Sequence, residues 1–144
     1  MKKAVYAGSF DPFHNGHLYI YEQAKELFDE VVVMIANNPN KKRFTDIADI
    51  RHYLVKMNIN AFAWSGLVAD WCKQNDVYYL VRGLRSTSDY LYEEEVAKIN
   101  AEINPELKTV YFRAKDNISS TMVRLLHEQG KDISKYIPEI KLTI

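Results

Sequence analysis

Near-continuous apolar runs alternate with amphipathic stretches along this chain, and that alternation limits its fold more than any other feature. Lys3–Ala7, Glu30–Ala36, Val77–Arg82 and Leu107–Phe112 read as strands buried on both faces, with Ala61-Phe62-Ala63-Trp64 a weaker fifth. Between them Gly16–Phe28, Asp46–Lys56, Gly66–Asn75, Ser88–Ile103 and Ser119–Gln129 carry helical periodicity. In the fourth of these, Tyr92, Val96, Ile99 and Ile103 form one apolar stripe. Alternating strands and helices build right-handed βαβ units. The expectation is an α/β fold, a doubly wound five-stranded parallel sheet in a single domain over residues 1–144.

Composition removes several classes of function. Lys plus Arg number 19 and Asp plus Glu number 19, so the chain lacks the basic excess of a dedicated nucleic-acid or membrane-surface binder. No apolar run approaches the length of a membrane span, and Met1-Lys2-Lys3 leads into a strand rather than a signal-peptide core. The single cysteine, Cys72, has no internal disulfide partner and sits in a helical pattern, which reads as a core thiol in a reducing cytoplasm.

Polar and basic residues cluster where the strands are expected to end. Gly8-Ser9-Phe10-Asp11-Pro12-Phe13-His14-Asn15-Gly16-His17 lies at the first strand-to-helix turn. Asn37 to Arg43, with Lys41-Lys42-Arg43, follows the second strand; Arg82-Gly83-Leu84-Arg85 to Asp89 follows the fourth; Asp116 to Thr121 follows the fifth. In a parallel sheet these ends share one edge, where helix N-termini and cations favour a polyanion such as a nucleoside triphosphate. Glycine admits a phosphate close to the backbone, and an imidazole N–H can donate to a phosphoryl oxygen as charge builds on it.

Each cluster taken alone has a plainer reading. His14 and His17 can be capping or surface histidines, Lys41-Lys42-Arg43 a solvated loop, and one of Ser119-Ser120-Thr121 a helix cap. Glu93-Glu94-Glu95 reads as a first-turn complement to the helix dipole with a solvated face. Arg82 and Arg85 beside Gly83 are harder to place this way, because a charge at the end of an apolar strand needs a partner. Neither a P-loop nor a Gly-x-Gly-x-x-Gly fingerprint is present, which disfavours P-loop kinases and ordinary NAD oxidoreductases.

Gly8 to Pro12 with His14-Asn15-Gly16-His17 resembles the signature of nucleotidyltransferases bearing a (T/H)xGH motif, a Rossmann-like superfamily. Val81-Arg82-Gly83-Leu84-Arg85, Ser88-Asp89-Tyr90, Tyr92-Glu93, Asn100, Pro105-Glu106, Thr109-Val110 and Ile118-Ser119-Ser120 resemble the narrower phosphopantetheine adenylyltransferase family. The resemblance implies transfer of an adenylyl group from ATP to the 4′-phosphate of phosphopantetheine, giving dephospho-coenzyme A and pyrophosphate. It implies magnesium with the ATP and no dedicated protein metal site. It also implies coenzyme A or its dephospho form as product or regulator, and a homo-oligomer, a hexamer in the family. Ser9, Lys41, Val68 and Arg82 match positions that bind phosphopantetheine. Ser9, Phe10, His14, His17, Gly83, Leu84, Arg85, Glu93 and the segment Lys115, Asp116, Asn117, Ile118, Ser119, Ser120 and Thr121 match the ATP side. His17, Lys41 and Arg85 are the implied catalytic set, with His17 stabilising the transition state.

The match has departures. His14 stands where this family usually has threonine, and with the run Ile118 to Arg124 it leans toward pyridine-mononucleotide adenylyltransferases. Lys115 and Glu128 replace an aromatic and an arginine, and the segment Met57 to Trp64 is short. A nicotinamide or nicotinate mononucleotide adenylyltransferase is therefore the second reading, and a nucleotide-binding relative without turnover the third.

Overall fold

The computed structural model describes residues 1–115 and 117–139. Strands and helices alternate as β1 (Lys3–Gly8), α1 (Asn15–Leu27), β2 (Glu30–Ala36), α2 (Ile47–Lys56), β3 (Ala61–Trp64), α3 (Val68–Gln74), β4 (Tyr79–Leu84), α4 (Thr87–Ile103), β5 (Lys108–Arg113) and α5 (Ser120–Glu128). A 3₁₀ turn, Ser134–Tyr136, was not expected from the sequence. All five strands pair in parallel in the order β3-β2-β1-β4-β5. This is the doubly wound α/β fold expected.

The strands are apolar throughout because both faces of the sheet are covered. On central β1, Ala4 and Tyr6 pack on one side with Val31, Val33 and Ile35 of β2, Ile20 and Ala24 of α1, and Leu54 of α2. Val5 and Ala7 pack on the other with Val32, Met34 and Leu80, against Ala69 and Cys72 of α3 and Ile103 of α4. Each fully buried Val, Leu, Ile or Phe side chain contributes about 1.5–3 kcal/mol. Cys72 belongs to this core, and burial pushes its thiol up to about 12, so it stays a neutral, unreactive thiol at neutral pH.

Two expectations are corrected. Strand β4 does not stop at Arg82 but runs on through Gly83 and Leu84, which pair with Phe112 and Arg113 of β5. The charge is tolerated in the strand because Arg82 finds partners there, described below. The apolar stripe of α4 does not all face the core. Ile103 does, but Tyr92 is 66% and Ile99 58% exposed, while Glu93 and Asn100 are buried. Polar pairing turns the helix. Glu93 meets Arg82, at an ion-pair distance of 2.6 Å, and this outweighs the pull of Tyr92 toward the sheet.

Candidate active site

The chain leaves β1 for β2 on one side of the sheet and later returns to β4 on the other, so β1 and β4 are neighbours whose loops depart in opposite directions. Ligands bind in open α/β sheets at this switch point, beyond the C-terminal strand ends. A cavity of about 670 Å³ opens there, lined by Ser9, His14, His17, Lys41, Arg82 and Arg85 among others. The strand-end clusters do converge on one crevice.

The β1–α1 turn is built around two imidazoles. His14 is the N-cap of α1, and its Nδ1 accepts the N–H of Gly16 at 3.0 Å. Nδ1 of His17 accepts the N–H of His14 at 3.1 Å, closing a reciprocal capping box made of histidines. The rings stack with centroids 3.6 Å apart, and Phe10 and Phe13 pack against His17. With both Nδ1 atoms accepting, each neutral ring carries its proton on Nε2 and has that N–H to give. The helix N-terminus thus spends part of its donor capacity on its own histidines, and the turn presents imidazole N–H groups of the kind expected to donate to a phosphoryl oxygen.

Gly16 has a steric reason to be glycine beside the expected approach to a phosphate. A Cβ at this position would lie 2.8 Å from Cε1 and 3.0 Å from Nδ1 of His14, so glycine makes room for the capping imidazole. Gly83 is alike, since a Cβ there would lie 3.1 Å from Cγ1 of Ile20, where α1 crosses β4. Gly16→Ala is expected to displace His14, costing about 1–3 kcal/mol as overpacking does and lowering kcat/KM at least tenfold. Thermal melting and steady-state kinetics on the variant check both effects. An Ala variant with unchanged kinetics would show that the capping imidazole is dispensable.

Burial, with Arg85 nearby, lowers the pKa of His14 to about 4. Burial, then His14, Arg82 and Arg85, holds His17 well below the usual histidine range. Both rings are neutral at neutral pH. Because the folded values lie below the unfolded value of 6.5, this part of the stability is complete above about 6.5 and is lost as pH falls toward and through about 4. Tm should fall over that window. His14→Thr keeps a capping oxygen and removes one titrating ring, so it should flatten the acid limb. An unchanged acid limb in that variant would assign the pH dependence to other groups.

Arg82 enters from β4. Its Nε and Nη2 donate to the two carboxylate oxygens of Glu93 at 2.9 and 2.6 Å, and Nη1 donates to the carbonyl of Ala7. Glu93 is therefore a buried ion-pair partner seven residues into α4, and the first-turn reading is corrected; the acidic residue in that turn is Asp89. Asp89 holds Arg85 through Nε and through the backbone N–H, both at 3.1 Å. Lys41 is exposed on a turn closed by its own N–H to the carbonyl of Asn38. Ser119 caps α5 through the N–H of Met122, as one of the three hydroxyl residues was expected to do.

Of the expected site residues, Ser9, Phe10, His14, His17, Lys41, Arg82, Gly83, Arg85, Glu93, Ile118, Ser119, Ser120 and Thr121 line the cavity. Val68, Leu84, Lys115 and Asn117 are not among its lining; Val68 packs against the core beneath α3. Asp116 lies outside the described residues. Asp11, to which the sequence assigns no site role of its own, also lines the cavity, as do Arg43 of the cluster after the second strand and Arg124 of the run Ile118 to Arg124. Arg43 donates to the carbonyls of Ser9, Phe10, Ala36 and Thr45, so it is a staple between loops rather than a solvated charge. Arg124 donates to the Asp11 carbonyl at 2.6 Å and Ser120 to that of Pro12 at 3.3 Å, tying α5 to the first turn.

Among the described residues no three His, Cys, Asp or Glu side chains stand together as a metal site. The carboxylates at the cavity, Asp11, Asp89 and Glu93, are each engaged by protein donors.

Comparison with known proteins accords with this geometry. A family model described as cytidylyltransferase-like matches residues 5–126. The phosphopantetheine adenylyltransferase of Actinobacillus pleuropneumoniae serotype 3 (strain JL03) is 38% identical over 147 aligned residues, covering 96% of this chain and 92% of that one. That of Shouchella clausii (strain KSM-K16) is 34% identical over 147 residues with the same coverage, 96% and 92%. In structure, the bifunctional NMN adenylyltransferase/ADP ribose pyrophosphatase of Francisella tularensis matches with a TM-score of 0.73 at 16% identity, over 97% of this chain and 46% of that one. Its complex with AMP and a manganese ion gives 0.69 at 16% identity, over 94% and 44%. The structural likeness is one of fold. The chain is a nucleotidyltransferase of the cytidylyltransferase-like class. Within that class it belongs to the phosphopantetheine adenylyltransferase family.

Proposed function

We propose that this chain transfers the adenylyl group of ATP to the 4′-phosphate of phosphopantetheine, releasing pyrophosphate and leaving dephospho-coenzyme A, a step of coenzyme A synthesis. The observation that carries the reading is the near full-length match to the Actinobacillus phosphopantetheine adenylyltransferase. The cavity supplies chemistry suited to it. A phosphomonoester is largely ionised at neutral pH, its second pKa being about 6, so the acceptor needs no general base. The chain has to bring two anions together in line and stabilise charge on the α-phosphate. In this reading Lys41 and Arg82 hold the acceptor phosphate, and Arg85 with the Ser119–Thr121 turn holds the β- and γ-phosphates. The neutral His17 donates to the α-phosphate oxygen. Magnesium accompanies the triphosphate, screening its charge.

The test is pyrophosphate release with ATP and each of three acceptors: phosphopantetheine, nicotinamide mononucleotide and nicotinate mononucleotide. A kcat/KM favouring phosphopantetheine supports the reading, since that ratio measures discrimination. Preference for either mononucleotide would replace it with the second reading, and release with none would leave a binding module.

Tyr92 and Ile99, seven residues apart on α4, and Leu91 beside them are 66%, 58% and 63% exposed, an apolar stripe that a second copy of the chain would cover. A homo-oligomer, six copies by family resemblance, follows, and native mass in solution tests it. No helix among the described residues is long and apolar enough to cross a membrane. A cytoplasmic site of action fits the proposed substrates and the reduced Cys72.

A further inference from the structure

Asp11 is nearly buried, 8% exposed, and its two carboxylate oxygens face three donors from one segment. Oδ2 accepts the N–H of Phe44 at 2.9 Å, while Oδ1 accepts the N–H of Thr45 at 2.7 Å and the Thr45 hydroxyl at 2.6 Å. Arg43 lies 3.8 Å from Oδ1 and closes round the same place, donating to the carbonyls of Ser9 and Phe10 on one side and of Ala36 and Thr45 on the other. The carbonyl of Asp11 itself accepts Nη1 of Arg124 at 2.6 Å, and Nη2 of Arg124 reaches the Thr121 hydroxyl at 3.2 Å. One residue thus touches the segment carrying Lys41 and, through its main chain, the start of α5. Burial opposes ionisation of Asp11, but the Thr45 hydroxyl, the Phe44 and Thr45 amides and Arg43 together hold its pKa below the ordinary carboxylate value. The carboxylate is therefore charged at neutral pH, and charge-assisted hydrogen bonds of this kind are about twice as strong as neutral ones.

Among the described residues Lys41 has no such anchorage of its own. It is exposed, and its main chain is fixed by one turn bond to Asn38. Where its ammonium sits relative to the His14–His17 turn depends on how residues 43–45 are strapped to residues 9–11. Small errors in that placement are expensive for a reaction whose catalysis is mostly alignment of two anions. We propose that Asp11 is a positioning residue, holding the Lys41-bearing segment in register with the His14–His17 turn so that acceptor phosphate and α-phosphate meet in line. This rests on the acceptor role given to Lys41 above.

Asp11→Asn is the sharp variant. Three donors face the two oxygens, so either orientation of the amide sets its NH₂ against a backbone N–H, and at least one bond is lost. The expected result is a fall of about tenfold in kcat/KM for phosphopantetheine with the KM for ATP unchanged, and almost no fall when the same change is made on a Lys41→Ala background. That loss of effect is what a merely structural role would not produce. Thr45→Val removes one bond and keeps both amide bonds, so it serves if Asp11→Asn does not fold; a smaller loss that again vanishes beside Lys41→Ala is expected. Equal losses on both backgrounds, a KM for ATP that rises with that of the acceptor, or a Lys41→Ala variant with normal kinetics would each overturn the proposal. Turnover of phosphopantetheine by the unaltered protein tests the underlying reading separately.

Discussion

His17→Ala is expected to lower kcat by about a hundredfold or more with little change in ATP affinity, as removal of an oxyanion-type donor does. The basis is the tautomer. Nδ1 of His17 is fixed as the acceptor of the His14 N–H at 3.1 Å, so Nε2 carries the proton. Burial, with His14 and the two arginines, keeps the ring neutral. A neutral donor adds little to ground-state attraction for a triphosphate, which the cations already supply. Its contribution grows only as negative charge collects on the α-phosphate oxygens, so the loss falls on kcat. The ring also packs on Phe10 and Phe13, so melting of the variant should be measured beside its kinetics. Burst or single-turnover measurements would place the loss in the chemical step. Near-normal kcat with a raised KM for ATP would make His17 a binding group and leave the transition state to the cations.

How far the sequence reached depends on how local each interaction is. The parallel sheet was legible because two-sided burial leaves near-continuous apolar runs, as in Val31 to Ile35, and even the short Ala61–Trp64 run proved to be a strand. His14, Gly16 and His17 were legible as a unit because all three lie within one helical turn, although the reason for Gly16 needed the ring positions. The end of β4 was misplaced because a charge in a strand looks like a stop until its partner, eleven residues on, is known. The face of α4 was misjudged for the same reason, since Glu93 and Asn100 are inside and Tyr92 and Ile99 outside. Asp11 escaped notice because two of its three bonds are to backbone N–H groups, 33 and 34 residues away, which leave no residue-type mark. The bond from Arg124 to a carbonyl 113 residues distant is equally silent in sequence. Short-range chemistry can be read from residue types; the scaffold that aims it is written in main-chain partners.

The largest effect on stability is expected at the Arg82–Glu93 pair, and it can be separated from the effect on binding. Side-chain exposures of 28% and 8% make this a mostly buried fork of two hydrogen bonds. Arg82→Ala leaves the Glu93 carboxylate buried without its counter-charge, which costs about 3 kcal/mol, toward the low end for a buried pair because Arg82 is partly open. For a domain of this size that lowers Tm by roughly 10 °C. The same variant should bind phosphopantetheine poorly, because of Arg82's five N–H bonds three serve Glu93 and Ala7, and the remaining two are what the acceptor phosphate can use. Loss of fold and loss of ligand are then confounded. The double variant Arg82→Met with Glu93→Leu resolves them. Replacing both charges by apolar groups of similar size removes the desolvation cost along with the attraction, so Tm should return to near the original value. Acceptor binding should not return, because no guanidinium remains. Calorimetric titration with phosphopantetheine on the double variant decides the point: affinity like that of the unaltered protein would remove Arg82 from the acceptor site, while a single variant that melts normally would mean that the Glu93 carboxylate is not stranded by the loss of Arg82.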